Sequence, residues 1–200
     1  MYKIYALFDL TQLNTCVLES YIRYLPPDRK AKALRFRKEI DKKNCILAYL
    51  LLQYGLYKEY GIRTVKLSYT HTGKPYLPDY PNIHFNISHC SQGCICAISD
   101  LPVGIDIQDV RPFSLPIAKR GCSDAELQLL KLSTDPASEF TRIWTMKESY
   151  LKMTGPGIAV DLRTVDTTKL QDKIKTFEIN DCYISVASAE LFPEEEICLN

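Results

Sequence analysis

The stretch Trp144-Thr145-Met146-Lys147-Glu148-Ser149-Tyr150-Leu151-Lys152-Met153-Thr154-Gly155-Pro156-Gly157 reads as an amphipathic helix running into a glycine-marked stop. Phe140, Ile143, Trp144, Tyr150 and Leu151 recur at helical spacing and are expected to face a core. Lys147 falls inside that stripe, where a solvated charge does not belong. Glu148 and Lys152 stand one turn apart on one side of the same helix. A lysine in an apolar stripe, with an acid and a second lysine beside it, points to a site that handles a metal and phosphates.

Around this helix the chain alternates between helical and strand patterns, which predicts an α/β (α+β) domain. Tyr2 to Phe8 is β-branched and aromatic, hence a strand. Thr11 to Leu25 has a helical pattern that Pro26 and Pro27 close. Asp28 offers an N-cap for one long helical stretch, basic from Arg29 to Lys43 and apolar from Cys45 to Tyr60, with Gly61 ending it. Short strands are expected at Val65–Tyr69, His84–Ser88, Cys94–Ser99 and Val103–Gln108, and a glycine- and proline-punctuated loop lies at 72–81. Helices follow near Leu115–Lys119 and Ser123–Lys131, the latter opened by the capping-box pair Ser123 and Glu126. The long helix then spans about Ala137–Met153. Strands return at Lys173–Ile179 and Tyr183–Ala189, and Glu194 to Glu196 read as a solvated tail. A boundary falls near Leu101 and Pro102.

The composition excludes several classes. Hydrophobic residues make up 46% and charged residues 24% of the 200 residues, which is globular rather than disordered. A net charge of +1 argues against a dedicated nucleic-acid binder. No apolar run reaches the length of a membrane span, and Met1 to Asp9 lacks a signal peptide's apolar region. The eight cysteines are therefore expected to be reduced, and the chain cytoplasmic. Cys90, Cys94 and Cys96 form no CxxC pair, so they read as core fillers rather than zinc ligands.

Four constellations carry possible chemistry. In Val103-Gly104-Ile105-Asp106-Ile107-Gln108, strand alternation puts Asp106 and Gln108 on one face. Asp106 is either an edge-strand acid in water or a paired or cation-bound carboxylate. Phe85-Asn86-Ile87-Ser88-His89 ends a strand with two groups able to bond phosphate, or simply with turn residues. Arg29 and Lys32, one turn apart, can clamp a phosphate or form a solvated face. Gly73-Lys74-Pro75 can make a ledge against a flat ring. No P-loop and no G-x-S-x-G elbow is present.

Taken in order, Gly73-Lys74-Pro75, Asn86-Ile87-Ser88-His89, Gly104-Ile105-Asp106-Ile107 and Trp144 to Lys152 resemble the 4'-phosphopantetheinyl transferases, in particular the monomeric surfactin-synthetase type. The resemblance covers essentially the whole chain. It implies two similar α/β halves related by a pseudo-twofold axis, residues 1–101 with coenzyme A nucleotide contacts and residues 102–200 with the metal ligands and catalytic helix. It implies transfer of the phosphopantetheine arm of coenzyme A to a serine of an apo acyl or peptidyl carrier protein, releasing adenosine 3',5'-bisphosphate, with Mg²⁺ on the pyrophosphate.

Carried over residue by residue, the resemblance makes Asp106, Gln108 and Glu148 the Mg²⁺ ligands and Glu148 also the base. It puts Lys152 on the pyrophosphate, Arg29 and Lys32 near the 3'-phosphate, Lys74 and Pro75 beside adenine, and Ser88 and His89 on phosphate. Glu126 matches an acidic position near the site, and Lys147 serves packing and ion pairing. Apolar residues after Arg111 (Pro112, Phe113, Leu115 and Pro116) form either a carrier contact or core. The chain departs from the pattern at Gln108, where an acid is usual, at Asn44-Cys45, where a basic residue and a threonine are usual, and at Pro156. Gln108 and Cys45 favour the alternative of a coenzyme A-binding module without catalysis. A two-metal phosphatase or nuclease would need more carboxylates.

Overall fold

The computed structural model describes residues 2–10, 18, 20–156 and 160–190. In chain order its elements are strand β1 (Tyr2–Phe8), helices α1 (Pro27–Arg35) and α2 (Glu39–Tyr60), a small hairpin β2 (Ser68–Tyr69) and β3 (Pro75–Tyr76), strands β4 (His84–His89), β5 (Gly93–Ser99) and β6 (Val103–Asp109), helices α3 (Leu115–Gly121), α4 (Asp124–Leu132) and α5 (Pro136–Thr154), and strands β7 (Ile174–Ile179) and β8 (Cys182–Ser188).

Two antiparallel sheets organise the chain, ordered β1-β5-β4 and β6-β8-β7. In each, a first strand leads through helices to a hairpin whose second strand occupies the middle of the sheet. The shared connectivity makes the two halves pseudo-twofold equivalents, and a short turn at Asp100 and Leu101 joins them. The β7–β8 hairpin closes on Asn180 and Asp181, both at positive φ, as a two-residue turn matching strand twist requires.

The central strand of the first half, Gly-Cys-Ile-Cys-Ala-Ile-Ser at 93–99, is buried throughout. Small residues on one face admit α2, whose Leu52 and Leu56 pack with Tyr5, Cys96 and Ile98. The other face carries Ile95 and Ala97 into a second core with Ile4, Ile105, Ile107, Ile184 and Val186, which glues sheet to sheet. The free edge of β6 is met by side chains of β4. Asn86 Oδ1 accepts the Ile105 N–H at 3.0 Å, and Ser88 Oγ accepts the Ile107 N–H at 3.4 Å. This joins the halves where their chemistry-bearing motifs lie.

The elements differ from the sequence-based expectation in specific places. The long basic-to-apolar helix is two helices, because Phe36 adopts an extended conformation after Arg35. The break lets Glu39 and Asp41 fall in a new first turn, where acids favour the helix dipole, rather than extending a run of like charges. Asp28 is not the cap: Pro26 is, and Pro27 takes the first turn, where a missing N–H costs nothing. The strand expected over Val65–Tyr69 shrinks to Ser68–Tyr69, since its antiparallel partner ends at Tyr76 and Pro78, which would face Lys66, has no N–H to donate. Val65 and Leu67 are buried in the core without a ladder. The capping box of Ser123 and Glu126 is formed as expected. The helical pattern at 11–17 and the acidic tail at 194–196 lie outside the described residues.

Candidate active site

Helix α5 rests on β6 at an unusually close approach. A Cβ on Gly104 would sit 2.0 Å from the Ser149 carbonyl oxygen and 2.4 Å from the Met153 nitrogen. The surface beneath α5 is therefore small and polar. The helix answers with Thr145 and Ser149, both fully buried, and Thr145 Oγ1 bonds Ser185 Oγ at 2.9 Å. This overturns the expected stripe in part. Ile143 is buried, whereas Phe140, Trp144, Tyr150 and Leu151 are only half-buried, because the sheet face is not a broad apolar floor.

One pleat beyond Gly104 on the same face, Asp106 is 1% exposed, which excludes the solvated-acid reading. Ser88 Oγ donates to Asp106 Oδ1 at 2.7 Å. Lys152 Nζ donates to that same oxygen at 2.5 Å and to Ser88 Oγ at 3.0 Å. Strand β4, strand β6 and helix α5 thus converge on one oxygen. The other, Oδ2, is buried and has no hydrogen-bond partner among the described residues. Glu148 stands one turn before Lys152. Burial, then the negative charge of Asp106, raises its carboxyl pKa above the ordinary value, with Lys152 pulling it down. Gln108 is half-buried further along the Asp106 face, opposite Tyr183.

This donor set fits a hard divalent cation. Asp106 Oδ2 is an orphaned buried acceptor, and the Glu148 charge is penalised in a way that a cation would relieve. Magnesium commonly takes one or two carboxylates and completes its shell with water and substrate phosphate. Among the described residues no group of three or more His, Cys, Asp or Glu side chains could hold a metal ion.

A cleft of about 670 Å³ opens beside this centre and is lined by both halves. Along α5 it runs from Gly155 past Lys152 and Glu148 to Trp144. At the Gly155 end, the loop before β3 is docked on the helix terminus: Lys74 Nζ donates to the Met153 carbonyl at 2.7 Å, and Thr72 Oγ1 to the Gly155 carbonyl at 3.1 Å. Gly155 caps the helix at φ 71°, and Lys74 satisfies one of its last carbonyls. Burial lowers the Lys74 pKa. Pro75, Arg29, Lys32 and His89 also line the cleft. Arg29 is buried, its Nε without a hydrogen-bond partner among the described residues and its guanidinium 5.8 Å from the Tyr49 ring centroid, while Lys32 is exposed. Desolvation, then the Lys152 charge, lowers the His89 pKa. Ser88 bonds Asp106 and the cleft residue Lys152, while His89 itself lines the cleft.

Residues 102–194 match the family model described as 4'-phosphopantetheinyl transferase superfamily, and residues 14–100 match 4'-phosphopantetheinyl transferase, N-terminal. The 4'-phosphopantetheinyl transferase Sfp of Bacillus subtilis (strain 168) is 31% identical, over 98% of this chain and 91% of its own length. The 4'-phosphopantetheinyl transferase psf-1 of Bacillus pumilus is 30% identical, over 98% and 89%. The chain belongs to the 4'-phosphopantetheinyl transferase superfamily. The transferase HetI of Nostoc sp. is 35% identical over 77% of this chain and 72% of its own. A solved Thermotoga maritima holo-[acyl-carrier-protein] synthase aligns with 46% of this chain and 64% of its own at TM-score 0.34 and 14% identity, and adds nothing to the assignment.

In this transferase, Lys147 and Glu126 stand apart from the cleft as a buried pair. They are 1% and 0% exposed, with Nζ and Oε2 2.7 Å apart. Glu126 Oε1 accepts from the Thr167 N–H and hydroxyl, and Lys147 also donates to the Leu162 carbonyl at 2.8 Å and to the Val165 carbonyl. Every polar group of the pair is engaged. Phe113 packs against Phe140 over a small core, whereas Leu115 and Ile117 are exposed.

Cleft residues to which the sequence reading assigned no role include Phe36, Ala48, Asn86, Val160 and Leu162, while Trp144 and Leu151, expected in the core, form part of the wall. Asn86 left a signal, an amide in the middle of a strand where amides are disfavoured. The six described cysteines, Cys45, Cys90, Cys94, Cys96, Cys122 and Cys182, are free and buried. No helix among the described residues is long and apolar enough to cross a membrane.

Proposed function

We propose that the cleft binds coenzyme A and that the centre at Asp106, Glu148 and Lys152 transfers its phosphopantetheine arm to a serine hydroxyl of an apo acyl or peptidyl carrier protein. The observation that carries this reading is the convergence of Ser88, Asp106 and Lys152 from three elements beside a carboxylate of raised pKa. In the reaction the serine oxygen bonds to the pyrophosphate phosphorus that bears the pantetheine, and the bond to the bridging oxygen breaks. Adenosine 3',5'-bisphosphate leaves with that oxygen. Glu148, one turn from Lys152 and lining the cleft, takes the serine proton. Lys152, released from Asp106, offsets the charge gathered on the leaving oxygen.

Asp106 and Glu148, with Gln108 through its amide oxygen, would hold Mg²⁺, which when bound supplies charge neutralisation and orientation of the pyrophosphate oxygens. Arg29, Lys32 and His89 are assigned to the phosphates, and Lys74 with Pro75 to the adenine side. Residues 1–101 then serve the nucleotide and residues 102–200 the chemistry. A reducing, cytoplasmic setting fits the six free thiols among the described residues, and a monomer suffices because both halves of the cleft come from one chain.

Mixing the protein with coenzyme A, Mg²⁺ and a panel of apo carrier proteins, then weighing the intact carriers, tests this reading. Gain of one phosphopantetheine on at least one carrier is expected. Tight coenzyme A binding without gain on any carrier would favour a binding module, the reading that the uncharged Gln108 supports.

A further inference from the structure

Lys147 is the one buried lysine of the catalytic helix that neither faces the cleft nor touches Asp106 or Glu148. Its ammonium has three partners, and two of them, the Leu162 and Val165 carbonyls, belong to the segment 160–167. The third, Glu126, holds the same segment from its far end through the Thr167 N–H and hydroxyl. The pair therefore clamps the segment at Leu162, Val165 and Thr167 against α4 and α5. Leu162 and Val160 line the cleft, and Leu162 meets Trp144 over Gly121.

Their place along the cleft gives this wall a partner. Helix α5 orders the cleft by turns: Gly155 beside the Lys74 loop, then Lys152, then Glu148, then Trp144. The charged middle separates the loop from an end walled by Trp144 and Leu162, and Trp144, Leu162 and Val160 are uncharged members of the cleft lining. With pyrophosphate against Lys152 and the nucleotide toward Lys74 and Arg29, the remaining part of the substrate is the uncharged pantetheine arm.

We infer that Lys147 is a positioning residue which, through Glu126 and the segment 160–167, holds Leu162 and Val160 as the wall that receives the pantetheine arm. The inference rests on the proposed binding of coenzyme A and adds the task of a residue outside the reacting centre. The saturation of Lys147 with partners, and its place outside the cleft lining, argue against an acid–base role for it. A wall that is clamped before the substrate arrives also lowers the ordering cost of binding the flexible arm.

The test compares two ligands by calorimetry. Coenzyme A carries the arm, and adenosine 3',5'-bisphosphate shares only its nucleotide end. Leu162→Ala trims the wall, and the double variant Lys147→Met with Glu126→Gln removes both charges while keeping an acceptor for Thr167. Both are expected to weaken coenzyme A binding about tenfold and to leave the bisphosphate affinity within about twofold. Amide exchange in residues 160–167 should quicken in the double variant and not in α2. Equal weakening for both ligands, or no change for coenzyme A, overturns the inference. If the double variant does not fold, Thr167→Val replaces it, since it removes one bond of Glu126 and no charge. Wild-type protein that binds coenzyme A but loads no carrier refutes the proposed transfer and leaves this comparison intact. Wild-type protein that binds neither ligand refutes both.

Discussion

Replacing Gly104 with alanine is expected to push helix α5 away from β6 and so take the reacting centre apart without touching any of its residues. The added Cβ would lie 2.0 Å from the Ser149 carbonyl oxygen and 2.4 Å from the Met153 nitrogen. Both obstacles are helix backbone and cannot rotate aside as a side chain would. Reaching an ordinary contact near 3.4 Å requires the elements to part by about 1.4 Å. Overpacking of this kind costs about 3 kcal/mol, the upper end of the usual range, because nothing flexible yields. The same displacement carries Lys152 and Glu148 away from Asp106 and Ser88, and misplacement by about 1 Å lowers catalysis roughly 100-fold. The assay pairs urea denaturation with carrier loading followed by mass. Gly121→Ala is the control, since its Cβ would meet nothing closer than 3.4 Å, and stability within about 1 kcal/mol of wild type is expected there. A Gly104→Ala protein as stable and as active as the parent would show that the close approach does not govern the site.

Three other outcomes are expected. Glu148→Gln abolishes transfer while coenzyme A still binds. Because the folded-state pKa of Glu148 is raised, its charge opposes folding above that pKa, so the variant gains stability at neutral pH and loses the gain as pH falls through the raised pKa to the ordinary carboxylate value; retained activity, or a gain that grows toward acid, would contradict this. Gln108→Glu lowers the Mg²⁺ concentration at half-maximal rate, and an unchanged metal titration removes position 108 from the coordination sphere. Lys147→Met leaves Glu126 buried and uncompensated and destabilises by about 3–5 kcal/mol, read from the denaturation midpoint, whereas a loss under about 1 kcal/mol would mean that the pair is dispensable.

The chain's order of motifs carried the assignment to its superfamily and most of the element pattern. Gly104, Asp106, Glu148 and Lys152 were legible because each violates the local pattern of its element: a glycine and an acid inside an apolar strand, and charges along a helix that must be partly buried. The capping box at Ser123 was legible for the same local reason, its two partners being three residues apart. What the sequence could not show were contacts across the chain. Nothing local says that Ser88 turns toward Asp106 rather than the cleft, or that Lys74 docks on the terminus of α5.

Lys147 marks that limit most clearly. Sequence alone determined that a lysine stood where α5 should be buried, and that Glu126 opened the preceding helix. Only the tertiary structure joined them, because a buried ammonium must find enough acceptors to offset its desolvation, and those acceptors, Glu126, Leu162 and Val165, lie on separate segments. The periodicity of a helix fixes which side chains share a face. The partner of that face depends on how closely the neighbouring strand lets the helix approach, and here Gly104 sets that distance.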